Sequence, residues 1–223
     1  MLYNLPYMFF DIVKRTIDIV GGIFLIILFS PIMLVAAIAI RFTSPGPILV
    51  EPSNTTAQRV GKDGKIFYHY KFRSMMVDAY NLLRTNPKFK KLYREYKKSS
   101  FKLHKDPRIT KIGKFIRKYS IDEMPQLFNV LKGEMSIVGP RPYFVEELDE
   151  QQGKYPHTRK FVKETLTVKP GITGYWQVSG RSEVHFDKRI EMDAYYAKKK
   201  SLLFDIMILL KTPWVMISGK GAV

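Results

Sequence analysis

The sequence contains no cysteine among its 223 residues. Disulfide bonds, thiolate metal sites and cysteine nucleophiles are therefore excluded together, although the redox compartment stays open. Histidine is scarce as well, and the four histidines lack the paired spacing of zinc ligands. The sequence thus argues against a zinc site.

Acidic residues are in short supply compared with basic ones. There are 20 Asp+Glu against 37 Lys+Arg, which gives a formal net charge of +17. This excess predicts an anionic partner, and composition leaves three classes open: nucleic acid, acidic lipid headgroups and a phosphorylated substrate. The length suits one domain with a sizeable core, or one domain with a membrane element.

Charge is missing altogether from residues 19–40. As a straight helix this run would reach roughly 33 Å, enough to cross a hydrocarbon core of about 30 Å. It is too long for a signal peptide, lacks a small-residue cleavage pattern and leads directly into Arg41. We therefore interpret it as a membrane element that is not removed.

Ser30 and Pro31 interrupt the middle of this run. Proline removes one helical hydrogen bond, so we expect a bend or break that leaves two halves of roughly 16 Å each. Lys14 and Arg15 precede the run and Arg41 follows it, which places both flanks in the cytoplasm by the positive-inside tendency. These features predict a re-entrant helix-break-helix, with a proline-kinked span as the alternative.

Two adjacent carboxylates occur in residues 119–142, YSIDEMPQLFNVLKGEMSIVGPRP. Ser120 and Glu123 have the spacing of a capping box, which would place Asp122 in the first turn of a helix. The helix N-terminus is then expected to keep Asp122 ionised, as a possible nucleophile beside a seat for phosphate. An ordinary capping box without chemistry explains the same residues.

Two short strands are predicted earlier in the chain, at residues 48–50 and 66–72, as a hairpin-like sheet with an Asp-Gly turn before the second strand. Lys71 and Arg73 end the second strand. Two cations at this position could face a diphosphate, or could simply guard the edge of a sheet.

A basic helix is predicted over residues 75–98. Residues 84–105 carry nine Lys/Arg against the single acid Glu95, with aromatic residues between them. This pattern favours a helix that lies on acidic lipid headgroups, while nucleic-acid binding and a solvated face are the alternatives.

Two later stretches are candidates for binding. Residues 169–181, KPGITGYWQVSGR, combine glycines that allow close backbone approach with side chains that could stack on or pair with a nucleotide; an ordinary structural loop is the alternative. Residues 201–217 are apolar but shorter than a span, and Pro213 interrupts them. Three lysines precede this segment and Trp214 lies within it, so we expect it to be buried or docked at headgroup level.

In combination these stretches resemble the bacterial sugar transferases, also called monotopic polyprenyl-phosphate phosphoglycosyl transferases. The likeness covers nearly the whole chain. The motifs that carry it, besides the Ser30 and Pro31 pair, are KRTIDIVGG, SPGPI, RVGKDGK, YKFRSM, DPRITKIGKFIRKYSIDEMPQLFNVLKGEMSIVGPRP, KPGITGYWQVSGR and LLKTPWVMISGKGA.

The resemblance implies an α/β fold, mostly helical with a small sheet. Residues 1–43 would form the N-terminal membrane segment, and residues 44–223 a catalytic domain partly sunk in the cytoplasmic leaflet of the bacterial inner membrane. The implied reaction moves a sugar 1-phosphate from a UDP-sugar to undecaprenyl phosphate and releases UMP. It would begin the assembly of a polysaccharide or glycoconjugate such as a capsule, exopolysaccharide or lipopolysaccharide.

The resemblance also implies roles for individual residues. Asp122 would attack the phosphorus that carries the sugar, and Glu123 would hold Mg2+ on the diphosphate. The matching positions supply a set of cationic substrate-binding residues: Lys71, Arg73, Arg108, Arg117, Arg141 and Arg181. Pro140 and Pro142 would shape a rigid turn around one of them.

The end of the chain resembles the hexose 1-phosphate branch, so glucose or galactose is the expected sugar, with an N-acetylamino sugar as the alternative.

VEPSNTTA intervenes where relatives have a short strand, which leaves the contacts of that loop open. The large N-terminal membrane domain of many relatives is missing from this sequence, so a homodimer stays open too. A basic membrane adaptor without activity is the alternative of another class, and no nucleic-acid partner is expected.

Overall fold

The computed structural model describes residues 5–50, 57–98, 103, 105–180 and 184–218. Arg181 and most of the VEPSNTTA insertion, residues 51–56, lie outside the described residues. Within the described ranges the fold is mostly helical with two small sheets, which confirms the predicted mostly helical α/β class.

The first element is a single long helix, α1, over Leu5–Thr43. It runs through Pro31 without interruption, which contradicts the predicted break at Ser30 and Pro31, while a bend there stays a prediction. Pro31 has no amide to bond to the carbonyl of Ile27, but the hydroxyl of Ser30 donates to that carbonyl over 2.8 Å. The serine therefore satisfies the carbonyl that the proline leaves open, and the helix continues.

The outer face of α1 is apolar. In the described parts of the chain, α1 is the one helix long and apolar enough to cross a membrane. Ile27 and Val35 are 68% and 67% exposed, and most large side chains around them are exposed as well. A contiguous apolar surface of this size is unfavourable in water, so it indicates membrane association.

A short antiparallel hairpin follows, formed by β1 (Gln58–Val60) and β2 (Ile66–Tyr68). The predicted Asp-Gly turn lies between them at Lys62–Gly64, and both of its last two residues have positive φ angles, 58° and 76°. The first strand differs from the prediction. Residues 48–50 instead make an isolated antiparallel bridge, between Leu49 and Phe72.

Nine shorter helices follow α1 in the described ranges. They are α2 (Ala79–Thr85), α3 (Lys90–Lys98), α4 (Lys111–Lys118), α5 (Gln126–Lys132), α6 (Val145–Lys154), α7 (Arg159–Thr165), α8 (Tyr175–Ser179), α9 (Phe186–Lys199) and α10 (Leu202–Ser218). Two further strands, β3 (Ser136–Val138) and β4 (Gly171–Thr173), pair in parallel.

The membrane helix contributes to two hydrophobic cores of the domain. Leu25 packs on the core that joins α5, β3 and α10. Ile40 lies in a second core with Phe72 and with Ile116 of α4. Since both halves of α1 are packed on the domain, the helix is part of the fold as well as an apolar surface.

The aromatic side chains of the basic region that the structure describes, Phe89, Tyr93 and Tyr96, face inwards. Tyr96 is buried with Tyr80 and Leu83, and Phe89 and Tyr93 pack against them. These rings form a small core between α2 and α3, so packing explains the interleaved aromatics without nucleic-acid stacking. The predicted contact of this region with lipid headgroups stays a prediction.

Candidate active site

Asp122 and Glu123 lie in a 3₁₀ turn, Ile121–Glu123, between α4 and α5. The predicted capping box is wrong. An N-cap residue has an extended backbone, whereas Ser120 is left-handed with a φ of 55° and its side chain makes no capping bond. The turn is closed by the backbone, because the amide of Glu123 donates to the carbonyl of Ser120 over 3.2 Å.

Asp122 is almost fully buried and faces a lysine. It is only 2% exposed, and its Oδ2 lies 2.9 Å from Nζ of Lys71 as an ion pair. The same ammonium lies 3.4 Å from Oε1 of Glu123. The amide of Phe72 donates to the carbonyl of Asp122 over 3.0 Å, which fixes the segment that carries Lys71 beside the turn that carries the two carboxylates. The structure therefore brings together the three residues that sequence analysis had placed in two separate motifs.

The two carboxylates have opposite electrostatic environments. Burial raises the pKa of Asp122 above its usual value, and the positive charges of Lys71 and Arg117 act against that rise. The side chain of Glu123 is 41% exposed, and the part that is buried opposes ionisation. The positive charges of Lys71 and Arg141 outweigh this effect and lower the pKa of Glu123 to about 2. Glu123 is thus firmly ionised. Asp122 depends on Lys71 for its charge, and not on a helix N-terminus as expected, because it precedes α5.

Asn129 holds the segment that leads from β2 to Lys71 against α5. It is fully buried, and its amide oxygen accepts from the backbone N–H of Tyr70 over 3.0 Å. Its amide nitrogen donates to the carbonyl of Tyr68 over 2.6 Å and to Glu134 over 2.7 Å. Sequence reasoning missed this residue. The available signal was a polar side chain on the apolar face of a short helix.

Arg141 lies just beyond β3, and its backbone amide donates to Oδ2 of Asp193 over 3.2 Å. The hydroxyl of Tyr143 donates to the same oxygen over 2.8 Å. Asp193 is fully buried, and burial raises its pKa to about 7. The Arg141 guanidinium lies 5.5 Å from the ring of Trp176. Asp193 and Tyr143 therefore support the turn that carries Arg141, and neither was expected from the sequence.

A second buried guanidinium lies near this group. Arg59 is 7% exposed and stacks on the ring of Phe144, with 3.6 Å between the guanidinium carbon and the ring centre. Burial and the neighbouring Arg141 lower the pKa of Arg59 to about 9, so it stays cationic at neutral pH. Burial also lowers the pKa of His69 well below its usual value, so this imidazole is neutral. Both residues were missed by sequence reasoning.

Two of the expected substrate-binding arginines are engaged elsewhere. Arg73 donates to the carbonyl of Pro47 over 2.6 Å and to the hydroxyl and carbonyl of Ser44 over 2.6 and 2.9 Å. Arg108 makes a bidentate pair with Asp106, at 2.8 and 2.6 Å, and also donates to a backbone carbonyl. Both side chains brace loops. Arg73 and Arg108 thus have structural partners in this structure, and their expected role in substrate binding stays a prediction.

Of the three other expected arginines, Arg117 and Arg141 act on the carboxylates through their charge and Arg181 is not described by the structure. The charge of Arg117 acts on Asp122, as described above, and that of Arg141 acts on Glu123. Arg181 lies outside the described residues.

The glycine-rich stretch after Lys169 has a packing explanation. A Cβ atom at Gly171 would come within 2.0 Å of the backbone of Gly139, and one at Gly174 within 2.1 Å of the same residue. The glycines therefore allow β4 to approach the chain beyond β3. Trp176 is 3% exposed, so its ring is not open for stacking on a base. The structural-loop alternative fits these residues better than a nucleotide loop.

The fit of this site to Mg2+ rests on one carboxylate. In the described part of the chain no group of three or more His, Asp or Glu side chains is placed to hold a metal ion. Glu123 is ionised and partly exposed, which suits a single protein ligand to Mg2+. Mg2+ usually keeps several waters and is held by one or two carboxylates plus substrate phosphates, so the residues fit a substrate-borne ion.

The family model of the bacterial sugar transferases matches residues 9–219. The chain belongs to this family. An uncharacterised sugar transferase of Haemophilus influenzae is 45% identical over 98% of this chain and 44% of its own length. The undecaprenyl-phosphate galactose phosphotransferase of Salmonella typhimurium is 44% identical over 94% of this chain and 41% of its own length.

Sugar transferases of this family occur in different lengths. This chain spans less than half of the two relatives named above. It covers 87% of an exopolysaccharide production protein of Sinorhizobium fredii, which is 38% identical over 94% of this chain. The family resemblance drawn from the motifs is thus confirmed, and the matched region includes all of the residues around Asp122 described above.

Replacing Lys71 by methionine tests the electrostatic role of this lysine. Without the Lys71 cation the pKa of Asp122 rises further, because the larger of the two opposing positive charges is gone and only that of Arg117 remains. A carboxyl group with a raised pKa favours the fold while protonated, and this contribution is lost as pH rises through its folded pKa. We therefore expect the stability deficit of Lys71→Met to grow with pH, reaching about 3 kcal/mol once the unpaired Asp122 is ionised.

The measurement is thermal unfolding in detergent at about pH 4, near the usual pKa of an aspartate, and at about pH 8. Lys114→Met, at an exposed position of α4, is the matched control and should show a small deficit that is equal at both pH values. Equal deficits of Lys71→Met at the two pH values would contradict the role assigned to Lys71.

Proposed function

We propose that the protein transfers a sugar 1-phosphate from a UDP-sugar to undecaprenyl phosphate and releases UMP. The observation that carries this proposal is the buried Asp122 paired with Lys71 at 2.9 Å, beside the ionised Glu123. A relative that is 44% identical is named an undecaprenyl-phosphate galactose phosphotransferase, which agrees with this chemistry.

In the first half-reaction an oxygen of Asp122 attacks the sugar-bearing phosphorus. An aspartyl O–P bond forms and the bond from that phosphorus to the bridging oxygen breaks, so UMP leaves with the bonding electron pair. In the second half an oxygen of undecaprenyl phosphate attacks the same phosphorus. The aspartyl O–P bond breaks, which frees Asp122 and yields the lipid-linked sugar diphosphate.

The cations around the turn have distinct tasks in this scheme. Lys71 favours the ionised form of Asp122, which is the form that can attack. Arg117 adds positive charge on the Asp122 side and Arg141 on the Glu123 side. Attack of one anion on another requires neutralisation of charge, and preorganised cations supply it without reorganisation during the reaction.

Glu123 is proposed to hold Mg2+ on the diphosphate of the substrate. When bound, the ion supplies charge neutralisation on the phosphate oxygens. Glu123 itself suits this task because its pKa of about 2 leaves it unprotonated at any physiological pH. Asp122 is the better candidate for attack because it is buried from water.

Both ends of α1 are proposed to lie on the cytoplasmic side, with the helix seated in one leaflet. Lys14, near one end, pairs with Asp205 of α10, while Ile40, near the other end, packs on Phe72 and Ile116. A straight crossing would carry one of these ends away from the domain that both contact. The basic residues on both flanks agree with this topology.

The topology is tested with a single cysteine placed at Asn4, since the chain has no other cysteine. In intact cells a membrane-impermeant thiol reagent should leave Asn4→Cys unlabelled, and permeabilisation should expose it. Lys114→Cys in the catalytic domain is the matched control and should behave identically. Labelling of Asn4→Cys but not Lys114→Cys in intact cells would show that α1 crosses the membrane.

The reaction is tested by incubating the purified protein with Mg2+ and single UDP-sugars in the absence of lipid. A covalent nucleophile predicts release of about one equivalent of UMP per protein, followed by a stop until undecaprenyl phosphate is added. We expect the burst with UDP-galactose or UDP-glucose, and no burst from Asp122→Asn. UMP formed only in the presence of lipid would refute the covalent step, and no UMP from any UDP-sugar would favour a membrane adaptor.

A further inference from the structure

Arg15 of the membrane helix caps a helix of the catalytic domain. Its two terminal nitrogens donate to the carbonyls of Val130 and Leu131, over 2.6 and 2.8 Å. These carbonyls belong to the last turn of α5, where a helix leaves carbonyls without intrahelical partners. A cation at this end also complements the helix dipole. Arg15 therefore holds the C-terminal end of α5.

Asp18 lies one helical turn further along α1 and holds the neighbouring strand. It is 3% exposed, and its Oδ1 accepts from the hydroxyl of Ser136 over 2.9 Å and from the amide of Ile137 over 2.8 Å. Both donors belong to the first two residues of β3, and Ser136 is itself buried. Asp18 therefore fixes the start of β3.

The two elements held in this way carry the two sides of the proposed site. α5 begins three residues after Glu123, and the intervening turn is hydrogen-bonded into it, since the amide of Leu127 donates to Met124. β3 ends three residues before Arg141. A shift of α5 relative to β3 would thus change the distance between the carboxylates and Arg141.

We infer that Arg15 and Asp18 of the membrane helix are positioning residues, which set the catalytic carboxylates against Arg141 by holding α5 and β3 in register. This inference rests on the proposed function for its catalytic consequence. The KRTID segment, residues 14–18, would therefore position the catalytic residues in addition to beginning the membrane element.

The close approach of α1 supports this inference. A Cβ atom at Gly21 would lie 2.9 Å from Cδ1 of Ile137, and one at Gly22 would lie 3.1 Å from Cδ2 of Leu131. Positions 15, 18 and 22 recur at helical spacing, so they share the face that meets α5 and β3. The glycines let the helix backbone lie directly on the two elements that Arg15 and Asp18 hold.

Other polar contacts of α1 provide matched controls because they do not lead to the site. Lys200, at the junction of α9 and α10, pairs with Asp11 over 3.0 Å. Thr16, beside Arg15, bonds only to Ile12 of its own helix among the hydrogen bonds of the described chain. Lys200→Ala removes a contact between α1 and the domain, and Thr16→Ala changes the same helical turn without a contact to α5 or β3.

The test compares Asp18→Ala, Ser136→Ala, their combination and Asp18→Asn in detergent micelles. Asp18→Ala should lower kcat for UMP release about ten- to a hundred-fold with little change in KM for the UDP-sugar, because bound substrate meets a displaced site. The double variant should lose little more than Asp18→Ala alone, since the two residues form one contact. Asp18→Asn keeps an oxygen acceptor and should recover most of the rate. Both control variants should stay within about twofold, as expected of sites without shared partners.

The second readout is amide hydrogen exchange, which does not depend on activity. Asp18→Ala should speed exchange in residues 119–125 and 139–143, whereas the two controls should not. Unchanged exchange in these residues would overturn the inference. A loss of total activity that comes entirely from a smaller folded fraction, with kcat per folded molecule unchanged, would overturn it as well. Absence of UMP release from the wild-type protein would count against the proposed function alone, because the exchange comparison would still decide the structural inference.

Discussion

The ion pair between Lys71 and Asp122 is the contact on which the proposed chemistry depends. Burial alone would favour the protonated carboxyl, which is a poor nucleophile, and water around an exposed carboxylate would screen its charge. A buried carboxylate with one cation 2.9 Å away combines exclusion of water with support for the charged form. That pair is held in place by the 3₁₀ turn and by the hydrogen bonds of Asn129 to Tyr68 and Tyr70, which fix the segment before Lys71.

Helix α1 contributes both to the apolar surface of the protein and to the support of the candidate site. α1 presents an apolar outer face, while its inner face reaches α5 and β3 through Arg15 and Asp18. The substrates of the proposed reaction suit this arrangement, because one is a soluble nucleotide sugar and the other a lipid phosphate. Ile121, next to the proposed nucleophile Asp122, packs on the core that contains Ile40 of α1, so the proposed site lies close to the apolar helix.

Sequence reasoning was most successful where a pattern depended on local chemistry. The charge-free run predicted a long apolar helix, the Asp-Gly pair predicted a turn, and the motifs around Asp122 identified the family. It failed at the detailed conformation of two serines. Ser30 compensates for Pro31, and Ser120 is left-handed. The structure adds partners for Arg73 and Arg108 that no motif indicated, namely nearby backbone carbonyls and the carboxylate of Asp106. Asp193 and Arg59 carry no sequence signature, since Tyr143 and Phe144, which contact them, are distant along the chain.

The central claim is that Asp122 itself becomes bonded to the sugar phosphate, and peptide mass spectrometry tests it most directly. The protein is exposed to its UDP-sugar with Mg2+, quenched before any lipid is added and digested. The account predicts the added mass of a sugar phosphate on the peptide containing Asp122, removable by hydroxylamine as expected for an acyl phosphate. An unmodified Asp122 peptide from protein that has released UMP, or the same added mass on another peptide, would contradict it.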